Sequence, residues 1–219
     1  MRFFTSTVGR KILMAISGQL MVLFVVVHLL GNSSIFFPGG LNAYAEHLHA
    51  LPPLVWAFRL VMLTLVLVHM IYGIQLTLEN RAANPGAYAV SNKLKVSFSS
   101  ENMIWTGLLL LVFIVYHLLH FTVRVTPDIV KGVDSLGRFD VFKMVVTSFQ
   151  HGIIAFVYVA SMIVLFLHLN HGIQSFFQTM GWNNDCTLPL ISKAGKVVAV
   201  IFLVGYSIIP IFILARILN

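Results

Sequence analysis

Four apolar stretches of this chain each carry histidine: FVVVHLLGN holds His28, LVLVHMIYG holds His69, FIVYHLLHF holds His117 and His120, and SMIVLFLHLNHGIQSFF holds His168 and His171. An ionisable side chain in a lipid-compatible run carries a desolvation cost and needs a partner that offsets it. A metal or a haem iron is such a partner, because neutral imidazole offers a nitrogen lone pair. A single histidine on an apolar helix is more often a satisfied core residue. Histidines on four such stretches point instead to a shared task.

The elements that must hold these residues are helices in a membrane. The chain has 219 residues, 58% of them hydrophobic and only 10% charged, with a mean hydropathy of +0.92. That leaves too little polar surface to cover a water-soluble globule of this size. The windows 12–30, 54–76, 103–123, 149–169 and 197–214 are long enough, at about 1.5 Å per residue, to cross a hydrocarbon layer of about 30 Å. The connections are too short for a separate soluble domain, so 1–219 reads as one all-α bundle of five transmembrane helices. The start MRFFTSTVGRK lacks a following A-x-A-like cleavage pattern and is kept as the approach to the first span.

Depth divides the histidines. If the helices alternate in direction, His28 and His117 fall in one half of the membrane and His69 and His168 in the other, each roughly 5 to 12 Å from its helix midpoint. Two imidazoles facing each other across a bundle can fill both axial positions of a haem iron, a b-type arrangement that carries electrons. By spacing alone His120 serves as well as His117, and His171 competes with His168 from a position nearer water. A zinc or di-iron site fits less well, since nothing resembles Glu-x-x-His and no carboxylate lies at the depth of the histidines.

Absences narrow the chemistry further. Cys186 is the single cysteine, so the chain holds no internal disulfide, no iron–sulfur ligand set and no C-x-x-C-H for covalent haem. No G-x-G-x-x-G or P-loop is present to hold a nucleotide. Flavin or iron–sulfur chemistry would sit in other subunits. The net charge of +7 reads as topology rather than as a nucleic-acid surface. With the N-terminus in the cytoplasm, Arg2, Arg10, Lys11, Arg81, Lys93, Lys95, Lys193 and Lys196 lie inside. Arg124, Lys131, Arg138, Lys143 and Arg216 then lie outside.

Three further residues carry two readings each. Ser17, beside Gly18, is a close-packing patch between helices or a partner for a haem propionate. Arg59, near the start of the second span, snorkels to headgroups or supplies a propionate countercharge. Glu46, the single carboxylate of the 31–53 connection, is a wet interfacial group or a proton acceptor for a redox reaction at that face. A short helix is expected before Pro52, and Pro210 is expected to kink the last span.

Taken together, SGQLMVLFVVVHLLGN around His28, HMIYG at His69, YHLLHF at His117 and HLNHGIQSFF at His168 resemble the five-helix, two-haem cytochrome b subunit of succinate dehydrogenases and quinol:fumarate reductases. The similarity runs over essentially the whole chain. It implies that His28 and His117 bind a distal haem b and that His69 and His168 bind a proximal one, favouring His117 over His120 and His168 over His171. It further implies an anchor in the cell inner membrane that passes electrons between menaquinone and an iron–sulfur subunit. That subunit and a flavoprotein, which acts on the dicarboxylate, would dock on the cytoplasmic segments 1–11, 79–101 and 170–196. A dimer of such heterotrimers is compatible with it. Some fumarate reductases of the family carry a glutamate two residues before the helix IV ligand, where this chain has Phe166. A proton path of that type is therefore not expected here, and Glu46 is the nearest candidate for the family's quinol-site glutamate. The alternatives are the dihaem anchor of another respiratory dehydrogenase, and a transporter relaying protons through histidines.

Overall fold

The computed structural model describes residues 2–83 and 97–219. Lys93, Lys95 and most of the 79–101 segment lie outside the described residues, as does the Arg2 side chain. Among the described residues five helices are long and apolar enough to cross a membrane, and the only strand-like pairing is an isolated bridge between Val133 and Phe139.

The first span is α1, Thr7–Ser33. It starts where Ser6, in extended conformation, accepts a hydrogen bond from the Gly9 N–H at 3.0 Å and so satisfies one of the orphan amides of the first turn. A short helix α2, Gly40–His49, follows ahead of Pro52, as expected. The second span, α3, is Pro52–Ala83, with the two prolines in its first turn, where their missing N–H groups cost nothing. The third, α4, is Met103–His117, prolonged by a π-helical turn over Leu118–Val123. Arg124 closes that turn with φ 63° and ψ 48°, a left-handed conformation unusual for a residue with a Cβ. Its guanidinium lies 4.0 Å over the Phe139 ring.

An amphipathic helix α5, Val141–Gln150, precedes the fourth span α6, Gly152–Thr179, and the two are separated by His151 in extended conformation. The fourth span therefore begins later than 149 and runs well past 169. The fifth, α7, is a single helix from Leu188 to Leu214 that continues through Pro210 and starts well before 197. In each case the apolar window marks only what must sit in hydrocarbon, whereas caps and interfacial turns prolong the helix into polar surroundings.

Arg10 at the start of α1 forms an ion pair with Glu79 near the end of α3, so these two antiparallel spans meet at one face, here the N-terminal face. The most extensive packing is between α6 and α7, then between α1 and α3. Tyr206 of α7 donates its hydroxyl proton to the Val25 carbonyl of α1 at 2.7 Å, and Gly205 lets the Leu29 side chain approach: a Cβ there would come within 2.9 Å of it.

At the opposite face a core of Ile35, Leu41, Val146, Phe149, Ala155, Tyr158, Ile209 and Ile213 joins α2, α5, α6 and α7. Buried Asn42 ties this cap together. Its amide N–H₂ donates to Asp134 at 3.2 Å and Asp140 at 3.1 Å, and its oxygen accepts from the Phe142 N–H at 2.8 Å. Elsewhere the spans present large apolar side chains outward, such as Leu30, Val112 and Ile153. A surface facing lipid tails gains nothing by hiding them.

Candidate cofactor site

The bundle brings the sequence-derived histidines together as two pairs at two levels. At the level nearer the N-terminal face, His69 of α3 and His168 of α6 have ring centroids 6.2 Å apart with planes at 69°. At the other level, His28 of α1 and His117 of α4 lie 5.8 Å apart with planes at 84°. Neither His120 nor His171 takes the place of its neighbour in these pairs.

The first pair is set by matching devices on the facing helices. The His69 ring lies against Gly18, where a Cβ would come within 2.8 Å of Cε1 and 3.0 Å of Nδ1. Its Nδ1–H donates to the Met14 carbonyl at 2.9 Å. A carbonyl only accepts, so the proton is on Nδ1 and the Nε2 lone pair is left free. The same carbonyl accepts from Ser17 Oγ at 3.0 Å, and Ser17, buried, also reaches the Leu13 carbonyl at 2.8 Å. The Ser17 hydroxyl proton is thus committed to its own helix, which favours the packing reading of the Ser17–Gly18 patch. What packs there is the imidazole of His69.

His168 sits in the corresponding way against Thr106 and Gly107 of α4. Thr106 Oγ1 turns its own proton toward the carbonyls of Asn102 and Met103 and accepts from His168 Nδ1 at 3.1 Å. A Cβ at position 107 would meet Cε1 at 3.3 Å. Again Nε2 is left free.

The second pair is bounded by aromatic rings, with Phe24 stacked on His28 at 5.3 Å and Phe113 tilted against His117 at 5.9 Å. The Asn32 amide lies 3.3 and 3.4 Å from the two His28 ring nitrogens, and His117 Nδ1 lies 3.4 Å from the Tyr158 hydroxyl. His120 is fully buried, with Nδ1 2.9 Å from the same hydroxyl and Nε2 2.7 Å from Asp128 Oδ2, so both its nitrogens are engaged.

Two imidazoles on opposite sides of one first-row metal ion, each bonded at about 2 Å, have ring centroids roughly 6 Å apart. Both observed separations match that demand. Among the described residues no three His, Cys, Asp or Glu side chains gather as a metal-binding group. Paired donors without further protein ligands suit a metal whose remaining positions are filled by a macrocycle.

Arg59 places its guanidinium 5.1 Å over the Trp56 ring. Burial and the Arg59 charge hold Arg124 below its ordinary pKa, so two cations converge at the opposite face. Glu46 is exposed on α2, with Oε2 3.5 Å from Arg138 Nη1.

The family model described as the succinate dehydrogenase/fumarate reductase transmembrane subunit matches residues 77–206, more than half the chain. The chain belongs to that family. It is therefore a multi-pass membrane subunit of a respiratory oxidoreductase complex, an anchor whose partners are catalytic subunits. His117 and His168 lie within the matched region, whereas His28 and His69 precede it and are tied to them by the ring geometry. Neither the curated proteins nor the solved structures offer a match. Met14, Thr106, Gly107, Asp128 and Tyr158 are the residues that sequence reasoning missed. Thr106–Gly107 had a signal, since it repeats the hydroxyl–glycine step of Ser17–Gly18 on another apolar helix.

Proposed function

We propose that this subunit is the dihaem cytochrome b anchor of a succinate/fumarate:menaquinone oxidoreductase, carrying electrons between menaquinone or menaquinol and an iron–sulfur subunit. The observation that carries this reading is the pairing of four imidazoles at two membrane levels, at separations that suit axial ligation. Haem b held between two imidazoles would supply one-electron transfer.

The roles of the chain's own residues follow from their chemistry. His69 and His168 would hold one haem through Nε2, each fixed by the acceptor on its Nδ1–H, and Gly18 and Gly107 let the ring edges approach the facing helices. His28 and His117 hold the other. Arg59, with Arg124 beside it, offers positive charge to propionates at the opposite face, while Ser17 acts through packing. Glu46, with Arg138 as its neighbour, accepts a proton as menaquinol gives up electrons. The N-terminal face, with Arg10 and Lys11, is the cytoplasmic one, where the iron–sulfur and flavoprotein subunits dock.

A pyridine haemochrome assay on the natively purified complex, with the chain quantified in the same sample, tests the reading. Two b haems per chain are expected, and a complex without haem overturns it.

A further inference from the structure

At the level of His28 and His117 a second polar system continues outward from the candidate haem site. His120, three residues beyond His117, is brought to the same hydroxyl by the π-helical turn over Leu118–Val123. Tyr158 of α6 lies with its hydroxyl 2.9 Å from His120 Nδ1 and 3.4 Å from His117 Nδ1. On its far side, His120 Nε2 meets Asp128 Oδ2 at 2.7 Å. His120 is fully buried and Tyr158 nearly so, while the Asp128 side chain retains about a tenth of its exposure, at 10%.

With His120 neutral and His117 binding through Nε2, the donors and acceptors admit one consistent order. Burial works against the Asp128 anion, yet the hydroxyls of Ser148 and Thr126 and the His120 ring turned toward it outweigh that and hold its pKa at about 2. Neither hydroxyl completes a hydrogen bond, so the 2.7 Å contact with His120 is the firm one. A carboxylate only accepts, so His120 Nε2 carries the proton it donates to Asp128. Neutral His120 Nδ1 then accepts from the Tyr158 O–H, and the Tyr158 oxygen is left to accept from His117 Nδ1–H. Every proton in this chain points toward Asp128. Hydrogen bonds aligned in this way polarise one another, and a ligand imidazole whose N–H donates to an acceptor is a stronger electron donor.

We propose that Asp128, His120 and Tyr158 form a relay of positioning residues that fixes the Nδ1–H tautomer of His117 and lowers the reduction potential of the haem it binds. The proposal rests on the dihaem reading above. It gives His120 a task other than ligation, and it makes the two haem sites unequal by construction. His69 and His168 donate to the Met14 carbonyl and the Thr106 hydroxyl, whereas His117 is linked through two side chains to a fixed anion.

The test is a potentiometric titration of the haem absorbance in the intact complex, comparing wild type with Tyr158→Phe and Asp128→Asn. Tyr158→Phe removes only the bridging oxygen and keeps the ring packing, so it decides the matter alone if Asp128→Asn does not assemble. Expected is an upward shift of one midpoint potential in each assembled variant, with the other unchanged and two haems retained. Unshifted potentials overturn the relay, as does an equal shift of both. A shift in Asp128→Asn without one in Tyr158→Phe also overturns it, because the charge then acts through space. Wild-type complex lacking two haems would instead overturn the dihaem reading.

Discussion

At the scale of single residues, the seats of the imidazoles matter as much as the imidazoles. Gly18 is the tightest: a methyl there would come within 2.8 Å of the His69 ring, which is also anchored by its bond to Met14 and cannot simply swing away. Gly18→Ala should therefore cost about 1–3 kcal/mol in packing strain and displace His69 from His168, leaving the complex with one haem instead of two. Gly107→Ala meets His168 at 3.3 Å, a distance that a shift of a few tenths of an ångström relieves, so its haem content should stay near two. A haemochrome measurement on both variants checks the contrast, and equal losses would refute it. The Ser17–Gly18 pair was visible in the sequence as a close-packing patch. That its occupant is His69 was not, because nothing local to Ser17 encodes which side chain of another helix will lie against it. His120 posed the reverse problem. Its spacing made it an equal of His117, and only Asp128 and Tyr158, contributed by other parts of the chain, engage both its nitrogens.

At the scale of elements, the apolar windows located all five spans but not their ends. Those ends are set by caps and turns such as the Ser6 cap, the prolines opening α3 and the extended His151 between α5 and α6. Of the cap at the opposite face the sequence showed only basic residues such as Arg138 and Lys143. In the structure Asp134 and Asp140 are bound by Asn42, and Asp134 also pairs with Arg138 at 2.8 Å. Asn42→Ala strips three hydrogen bonds and leaves the Phe142 N–H without its side-chain acceptor, which should destabilise the cap by about 1–3 kcal/mol. Faster hydrogen exchange over 133–142, with exchange in α1 and α3 unchanged, would show it. The same cap has a defined acid response. Burial raises the Asp134 pKa, but the hydrogen bonds from Arg138, Leu136 and Asn42 outweigh it and hold it at about 2, below the ordinary carboxyl value of 3.8. A carboxyl depressed on folding contributes stability that is present above its unfolded pKa and lost as pH falls through its folded one. Protection over the cap, relative to intrinsic exchange at each pH, should thus be insensitive to protonation of Asp134 from pH 8 to about 5 and fall between about 4 and 2.

At the scale of the whole molecule, α1 and α4 supply one pair of imidazoles, α3 and α6 supply the other, and α7 supplies none. It packs against α6 and α1 and holds their spacing. A substitution at one level should therefore leave the other intact: His168→Ala should remove one haem and His28→Ala the other, each resolved as the loss of one of two midpoint potentials. Glu46 depends on the entire arrangement, because its proposed role joins proton release at the opposite face to electrons leaving toward the N-terminal face. It lies outside the spans on α2, paired with Arg138, which is itself bound by Asp134. Glu46→Gln removes the proton acceptor while keeping size and hydrogen-bonding capacity, so both haems and the cap should persist. Menaquinol oxidation should slow about 100- to 1,000-fold, the lower part of the range general-base catalysis supplies. Electron transfer into the haems from a chemical reductant such as dithionite should be unaffected, since it bypasses quinol chemistry. A loss of both rates would mean that Glu46 supports the structure, and an unchanged quinol rate would return it to the ordinary ion pairs of a wet surface.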